Sequence, residues 1–167
     1  MAMKLNTTEK IKVGKENLKI KTKNNMKHAI TSMYANPIHP GHIECLRLSS
    51  ELVDRVWVIV NNDRQAELKR GVKSFQNEND RLSIVNAIRY VFVACISIDN
   101  DASVCSTIEA VYRSITTVDP EAEVIFTKGG DRFAEEIPEK ETCDRLGIKI
   151  VDGLGAKTHH SSNIIKK

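Results

Sequence analysis

The chain has 167 residues, 41% of them hydrophobic and 28% charged, the size and balance of one globular domain with a real core. Its apolar runs are strand-sized, so no membrane-spanning segment is expected. Net charge is +3, but the first 25 residues alone hold seven lysines against two glutamates; the rest is near neutral or slightly acidic and lacks a nucleic-acid footprint.

Residues 1–26 are rich in Lys, Asn, Thr and Glu, have no sustained hydrophobic period, and read as a flexible basic N-terminal arm. The arm has no apolar centre of the kind a secretory signal needs. Four cysteines (Cys45, Cys95, Cys105 and Cys143) are scattered without C-x-x-C or zinc-type spacing. They read as reduced thiols in a reducing, cytoplasmic compartment.

From residue 27 to residue 167 the sequence alternates strand and helix signals. A short apolar run at Ala29-Ile30 leads into Asn36-Pro37-Ile38-His39-Pro40-Gly41-His42, and a helical pattern follows from Gly41 to Val53 with Ile43, Leu46 and Val53 on one face. A helix N-terminus offers free N–H groups and the positive end of its dipole. Two histidines in its first turn can donate hydrogen bonds to a phosphate, and Gly41 keeps a side chain out of the way.

Next comes Arg55–Val60, a continuous apolar run typical of a strand buried on both faces. Asn61-Asn62-Asp63 is a turn signal, and a loop with Lys69, Arg70, Gly71 and Lys73 is expected after it. A helix begins near Asn77–Asp80, with Leu82, Val85 and Ile88 on its inner side. A strand over Val91–Ile98 and a turn at Asp99-Asn100-Asp101 precede a helix carrying Val104, Ile108, Val111 and Ile115. The strand Val124–Phe126 runs into the loop Thr127-Lys128-Gly129-Gly130-Asp131. Pro138 suits the first turn of a helix that Gly147 caps, and Ile148–Val151 is the last strand.

This alternation predicts an α/β fold: a Rossmann-like, doubly wound parallel sheet of about five strands with helices on both faces. In such sheets ligands bind beyond the carboxyl ends of the strands, where strand order reverses. The histidine turn and the Lys128–Asp131 loop both follow strands at that edge. Near the end, Ser161-Ser162-Asn163 precedes Ile164-Ile165-Lys166-Lys167 and reads as a helix start, either capping that helix or holding a second phosphate. There is no G-x-S-x-G nucleophile elbow and no G-x-x-x-x-G-K-[ST] phosphate loop.

His39-Pro40-Gly41-His42, Lys128-Gly129-Gly130-Asp131 and Ser161-Ser162-Asn163-Ile164-Ile165-Lys166 stand in the order and spacing of the cytidylyltransferase-like nucleotidyltransferases. Over residues 27–167 the chain resembles the small members related to the heptose-1-phosphate adenylyltransferase domain and, more distantly, glycerol-3-phosphate cytidylyltransferases. The resemblance implies transfer of CMP or AMP from CTP or ATP to a small phosphorylated sugar or polyol, with release of pyrophosphate.

In that reading His39, His42 and Lys69 are catalytic, stabilising charge on the phosphates. Asn36, Gly41, Lys128, Gly129, Gly130 and Asp131 bind the nucleotide, the last three lining the base and ribose pocket, and Ser161, Ser162 and Asn163 hold the β- and γ-phosphates. Arg81 contacts substrate or triphosphate. Mg²⁺ is expected on the triphosphate, held mainly by phosphate oxygens and water, with no protein ligands. No nucleic acid or membrane partner is implied, and a homodimer is left open.

The chain departs from the family pattern at Ser32-Met33-Tyr34-Ala35-Asn36, where relatives carry a glycine-rich G-x-F-[DN]. Met33 or Tyr34 could narrow the space for the accepting phosphate. The departure also keeps a second reading in view, a non-catalytic nucleotide sensor or interaction module on the same fold.

Overall fold

Along Arg55–Val60 every second side chain belongs to a different core. Val56, Val58 and Val60 pack with Ala29, Met33, Leu46 and Val85 on one side; Ile59 packs with Ile30, Ile108, Phe126 and Cys143 on the other. A strand apolar on both faces must be covered on both faces. In the computed structural model, which describes residues 25–130, 134 and 137–155, that covering is made by helices.

The described residues form β1 (Lys27–Met33), α1 (Pro40–Leu52), β2 (Arg55–Val60), α2 (Asp63–Arg70), α3 (Glu78–Asn86), β3 (Val93–Ile96), α4 (Cys105–Val118), β4 (Glu123–Gly129), α5 (Lys140–Leu146) and β5 (Lys149–Leu154). All five strands are parallel, in the order β3-β2-β1-β4-β5. Helices α1 and α3 supply Leu46 and Val85 to one core, while α4 and α5 supply Ile108 and Cys143 to the other. Successive strands run outward from β1 through β2 to β3, after which the chain crosses to the far side of β1 for β4 and β5. The reversal therefore lies between β1 and β4, and a crevice opens at their carboxyl ends.

The fold is the one expected from the sequence, with local differences that have physical causes. Residues 63–70 form a helix where a turn and loop were expected. Asn62 caps it reciprocally with Gln65, and Gly71 ends it in a left-handed conformation, φ 71°. Only Gln65 and Ala66 are buried along it, so no hydrophobic stripe announces it. Lys128 and Gly129 complete β4 and do not lie in a loop. Pro138 precedes α5, whose cap position is Glu139. Met26, the last residue of the expected arm, already donates from its N–H to Asp119 and accepts from the N–H of Glu123. Residues 1–24 of that arm lie outside the described residues. The four cysteines are all free thiols, and no helix among the described residues is long and apolar enough to cross a membrane.

Candidate active site

The turn between β1 and α1 aims the two histidines. Ala35 takes a left-handed φ of 47° although it has a side chain and is buried, a costly conformation that the surrounding packing must hold in place. Asn36, wholly buried at 0% exposure, is the hub of the turn. Its carbonyl accepts from Arg70 Nη2 at 2.7 Å and its Oδ1 from the Gln76 N–H at 3.3 Å. Its Nδ2 finds no hydrogen-bond partner among the described residues. Asn36 therefore ties the turn to α2 and to the segment after it.

His39 is the cap residue of α1 and His42 stands three positions on. The His39 backbone N–H donates to Nδ1 of His42 at 3.2 Å, while the His42 N–H donates to the His39 carbonyl at 2.9 Å. The rings stack with centroids 3.7 Å apart and planes inclined by 26°. A Cβ on Gly41 would come within 3.1 Å of the His39 ring. The missing side chain at Gly41 thus leaves room for the His39 ring where it stacks.

A backbone N–H is always a donor, so Nδ1 of His42 must be the bare nitrogen. The proton of the neutral ring then sits on Nε2. Burial, then the neighbouring His39, then the charge of Lys69 push the His42 imidazole down to about 3. At neutral pH His42 is an uncharged Nε2–H donor, and the positive charge nearby belongs to Lys69. That lysine stands on exposed α2 surface with Nζ 4.0 Å from the centroid of the Tyr34 ring.

Lys128 lies elsewhere than on an open nucleotide surface. It is 5% exposed; its Nζ donates to Ser32 Oγ at 2.9 Å, stands 3.7 Å from Glu139 Oε2 and lies over the Phe126 ring. It thereby joins the ends of β1 and β4 to the cap of α5. Gly129 is required by close approach: an added Cβ would meet Cys45 Sγ at 3.0 Å and the Leu154 carbonyl at 3.2 Å. Gly130 follows with φ 71°, a left-handed turn at the strand end. Asp131, Ser161, Ser162 and Asn163 lie outside the described residues.

Arg81 corrects the expectation of a substrate contact. It is 0% exposed, and its guanidinium donates to the carbonyls of Gln76, Tyr34 and Asn61 and to Asp63 Oδ1. Four hydrogen bonds at 2.6–3.1 Å take up four of its five N–H groups, so it fastens the ends of β1 and β2. Met33 is likewise in the core at 6% exposure and does not narrow the crevice.

Three contributors escape a reading of the sequence. Ser32 holds Lys128 from 96 positions away and Glu139 from across the turn into α5, which no local pattern signals. Gln65 is fully buried and stitches α2 to the next crossover: its Nε2 donates to the carbonyls of Asp101 and Ser103, and its Oε1 accepts from Asn61 and Asn62. Its capping box with Asn62 was a usable signal.

The site therefore gathers the α1 N-terminus, two stacked imidazoles and Lys69 at the switch point of a five-stranded sheet. The cytidylyltransferase-like family model matches residues 34–140, from this turn to the first residue of α5. The chain belongs to the cytidylyltransferase-like family. It is a nucleotidyltransferase.

Among its relatives in sequence, the FAD synthase of Thermoplasma acidophilum is 31% identical over 111 residues, which cover 66% of this chain and 69% of that protein. The bifunctional protein HldE of Gluconobacter oxydans is 27% identical over 115 residues, 68% of this chain but only 22% of that longer protein. The crystal structure of the lipopolysaccharide core biosynthesis protein from Thermoplasma volcanium GSS1 superposes with a TM-score of 0.55 at 22% identity, covering 77% of this chain and 96% of that one. At that identity the likeness speaks for the fold that this cytidylyltransferase-like chain shares.

Proposed function

We propose that this protein transfers an adenylyl group from ATP to the phosphate of a small phosphorylated acceptor, a sugar or polyol phosphate, and releases pyrophosphate. The observation that carries the reading is the His39–His42 pair at the α1 N-terminus, with His42 fixed as a neutral Nε2–H donor beside the charge of Lys69. The names of its relatives, FAD synthase and HldE, both adenylyltransferases, favour AMP over CMP as the group transferred.

In this reading an oxygen of the acceptor phosphate attacks the α-phosphorus in line. The bond from the α-phosphorus to the bridging oxygen breaks, and pyrophosphate leaves with the electron pair. Such transfer needs positioning and charge stabilisation and no protein nucleophile. His42 Nε2–H and the free N–H groups of α1 meet charge building on the α-phosphate. Lys69 neutralises the leaving phosphates. Gly130, with Asp131, lines the base and ribose pocket, while Ser161, Ser162 and Asn163 hold the outer phosphates. Lys128 and Gly129 act from behind, by setting the position of that loop. No three His, Cys, Asp or Glu side chains gather to hold a metal among the described residues. Mg²⁺ would be carried mainly by the phosphate oxygens and water and would supply charge neutralisation there.

The test is pyrophosphate release with ATP and CTP, each against hexose and heptose phosphates, glycerol 3-phosphate and FMN. FMN belongs in the panel because an FAD synthase transfers AMP to it. Turnover with ATP and a sugar or polyol phosphate supports the proposal, and turnover confined to FMN moves the acceptor to flavin. Tight triphosphate binding with no release for any acceptor favours a nucleotide sensor.

A further inference from the structure

We propose that Tyr34 is a positioning residue, whose ring face carries the Lys69 ammonium and so sets where that charge meets the triphosphate. The inference rests on the functional reading above for what Lys69 does, but the geometry is independent of it. Lys69 Nζ stands 4.0 Å from the Tyr34 ring centroid, within the range of a cation–π contact. Lysine is a compact charge on a flexible four-carbon stem, and this one rises from an exposed helix surface. Something must select one of its many rotamers.

Both ends of the contact are fixed. The Tyr34 carbonyl accepts from Arg81 Nη1 at 2.7 Å, and that arginine is wholly buried. The residue after Lys69, Arg70, donates to the Asn36 carbonyl at 2.7 Å, and Gly71 ends α2 at once. The stretch 34–36 and the last turn of α2 are thus clamped together, which keeps the Tyr34 ring and the Lys69 stem within reach of one another. The charge of Lys69 contributes, after burial and His39, to holding the His42 imidazole neutral. Tyr34 falls at the variable position of the G-x-F-[DN] pattern, between the replaced glycine and phenylalanine, and in this reading it serves the donor side of the reaction.

The experiment compares Tyr34→Phe and Tyr34→Leu, each with Lys69 intact and with Lys69→Met. Three quantities are read: kcat/KM for pyrophosphate release, ATP affinity by calorimetry, and the shift of the Lys69 ε-methylene by NMR on lysine-labelled protein. Tyr34→Leu should lower kcat/KM and ATP affinity by about two- to fivefold, the size of one exposed cation–π contact. It should also abolish the ring-current shift of the ε-methylene. Tyr34→Phe, which keeps the ring, should restore both to within about twofold. With Lys69→Met, the two Tyr34 variants should differ no further. An equal loss with and without Lys69 means that Tyr34 acts through the fold, and an unchanged ε-methylene shift in Tyr34→Leu means that the ring does not carry the lysine. Either result overturns the proposal. Should Tyr34→Leu fail to fold, Tyr34→Gln takes its place. If the wild type turns over no acceptor, the functional reading fails, while the ε-methylene shift and ATP affinity still decide the role of Tyr34.

Discussion

The backbone N–H of His39 points at Nδ1 of His42, and this single 3.2 Å contact decides what the second histidine can do. It removes Nδ1 from use as a donor and leaves Nε2–H as the one proton the neutral ring can offer. The two histidines are therefore unequal: one lends its backbone, the other its side chain.

If His42 donates to the developing charge, His42→Ala should lower kcat by about 10²-fold or more. The helix start would persist, because the His42 N–H to His39 carbonyl bond belongs to the backbone. Pyrophosphate release and a thermal melt on the same preparation check this, and wild-type turnover in a folded His42→Ala protein would remove His42 from the mechanism.

The depressed His42 value also makes stability depend on pH. The folded ring titrates at about 3 against 6.5 for the free side chain. Between these values the unfolded chain binds a proton that the folded chain refuses, so stability falls as pH drops below about 6.5 and the loss is complete below about 3. Above pH 6.5 the group contributes no slope. Wild type should lose up to about 1.4 kcal/mol per pH unit more than His42→Asn within that window. Urea unfolding of both proteins at pH 7, 5.5 and 4.5 reads the difference directly; parallel curves would mean that His42 is solvated like a surface histidine.

Arg81 should behave as a fold residue. Arg81→Leu strands the carbonyls of Gln76, Tyr34 and Asn61 and the Asp63 carboxylate in one step. A loss of about 3 kcal/mol or more is expected. Denaturant unfolding measures it, and a stable Arg81→Leu protein with only a raised KM would return the residue to the substrate.

At Gly129 the smallest possible side chain is already too large. Gly129→Ala should cost about 1–3 kcal/mol, because the Cβ falls on Cys45 and on the Leu154 carbonyl. Cys45→Ala should recover only part of that in the double variant, since the β5 backbone cannot yield. Additive losses in the two single variants would show that the helix moves aside without cost.

The alternation of strands and helices was legible because core packing writes itself into the sequence: every second residue of β2 and every turn of α4 had to be apolar. The histidine turn was legible because its glycine and prolines restrict the backbone locally. Helix α2 was not, since its fit depends on Gln65 reaching the Asp101 and Ser103 carbonyls, thirty-six and thirty-eight positions away. Arg81 and Lys128 look in sequence like cations awaiting a phosphate. Only the three-dimensional arrangement shows both held inside the protein, Arg81 against Asp63 and Lys128 against Ser32 and Glu139.

The way α2 is attached bears on how the protein meets heat. Of its buried side chains only Ala66 brings apolar surface into the interior; the rest of the anchorage is polar, through Asn62 and Gln65, the Arg70 bond to the Asn36 carbonyl and the pairing of Asp63 with Arg81. Water can replace such bonds at a net cost of about 1 kcal/mol each, whereas the strands are held by two apolar layers. The segment bearing Lys69 should accordingly exchange its amide protons through local opening well before the sheet does. Warming would then silence the enzyme while most of its tertiary structure is still intact, leaving a ceiling on working temperature set by one eight-residue helix.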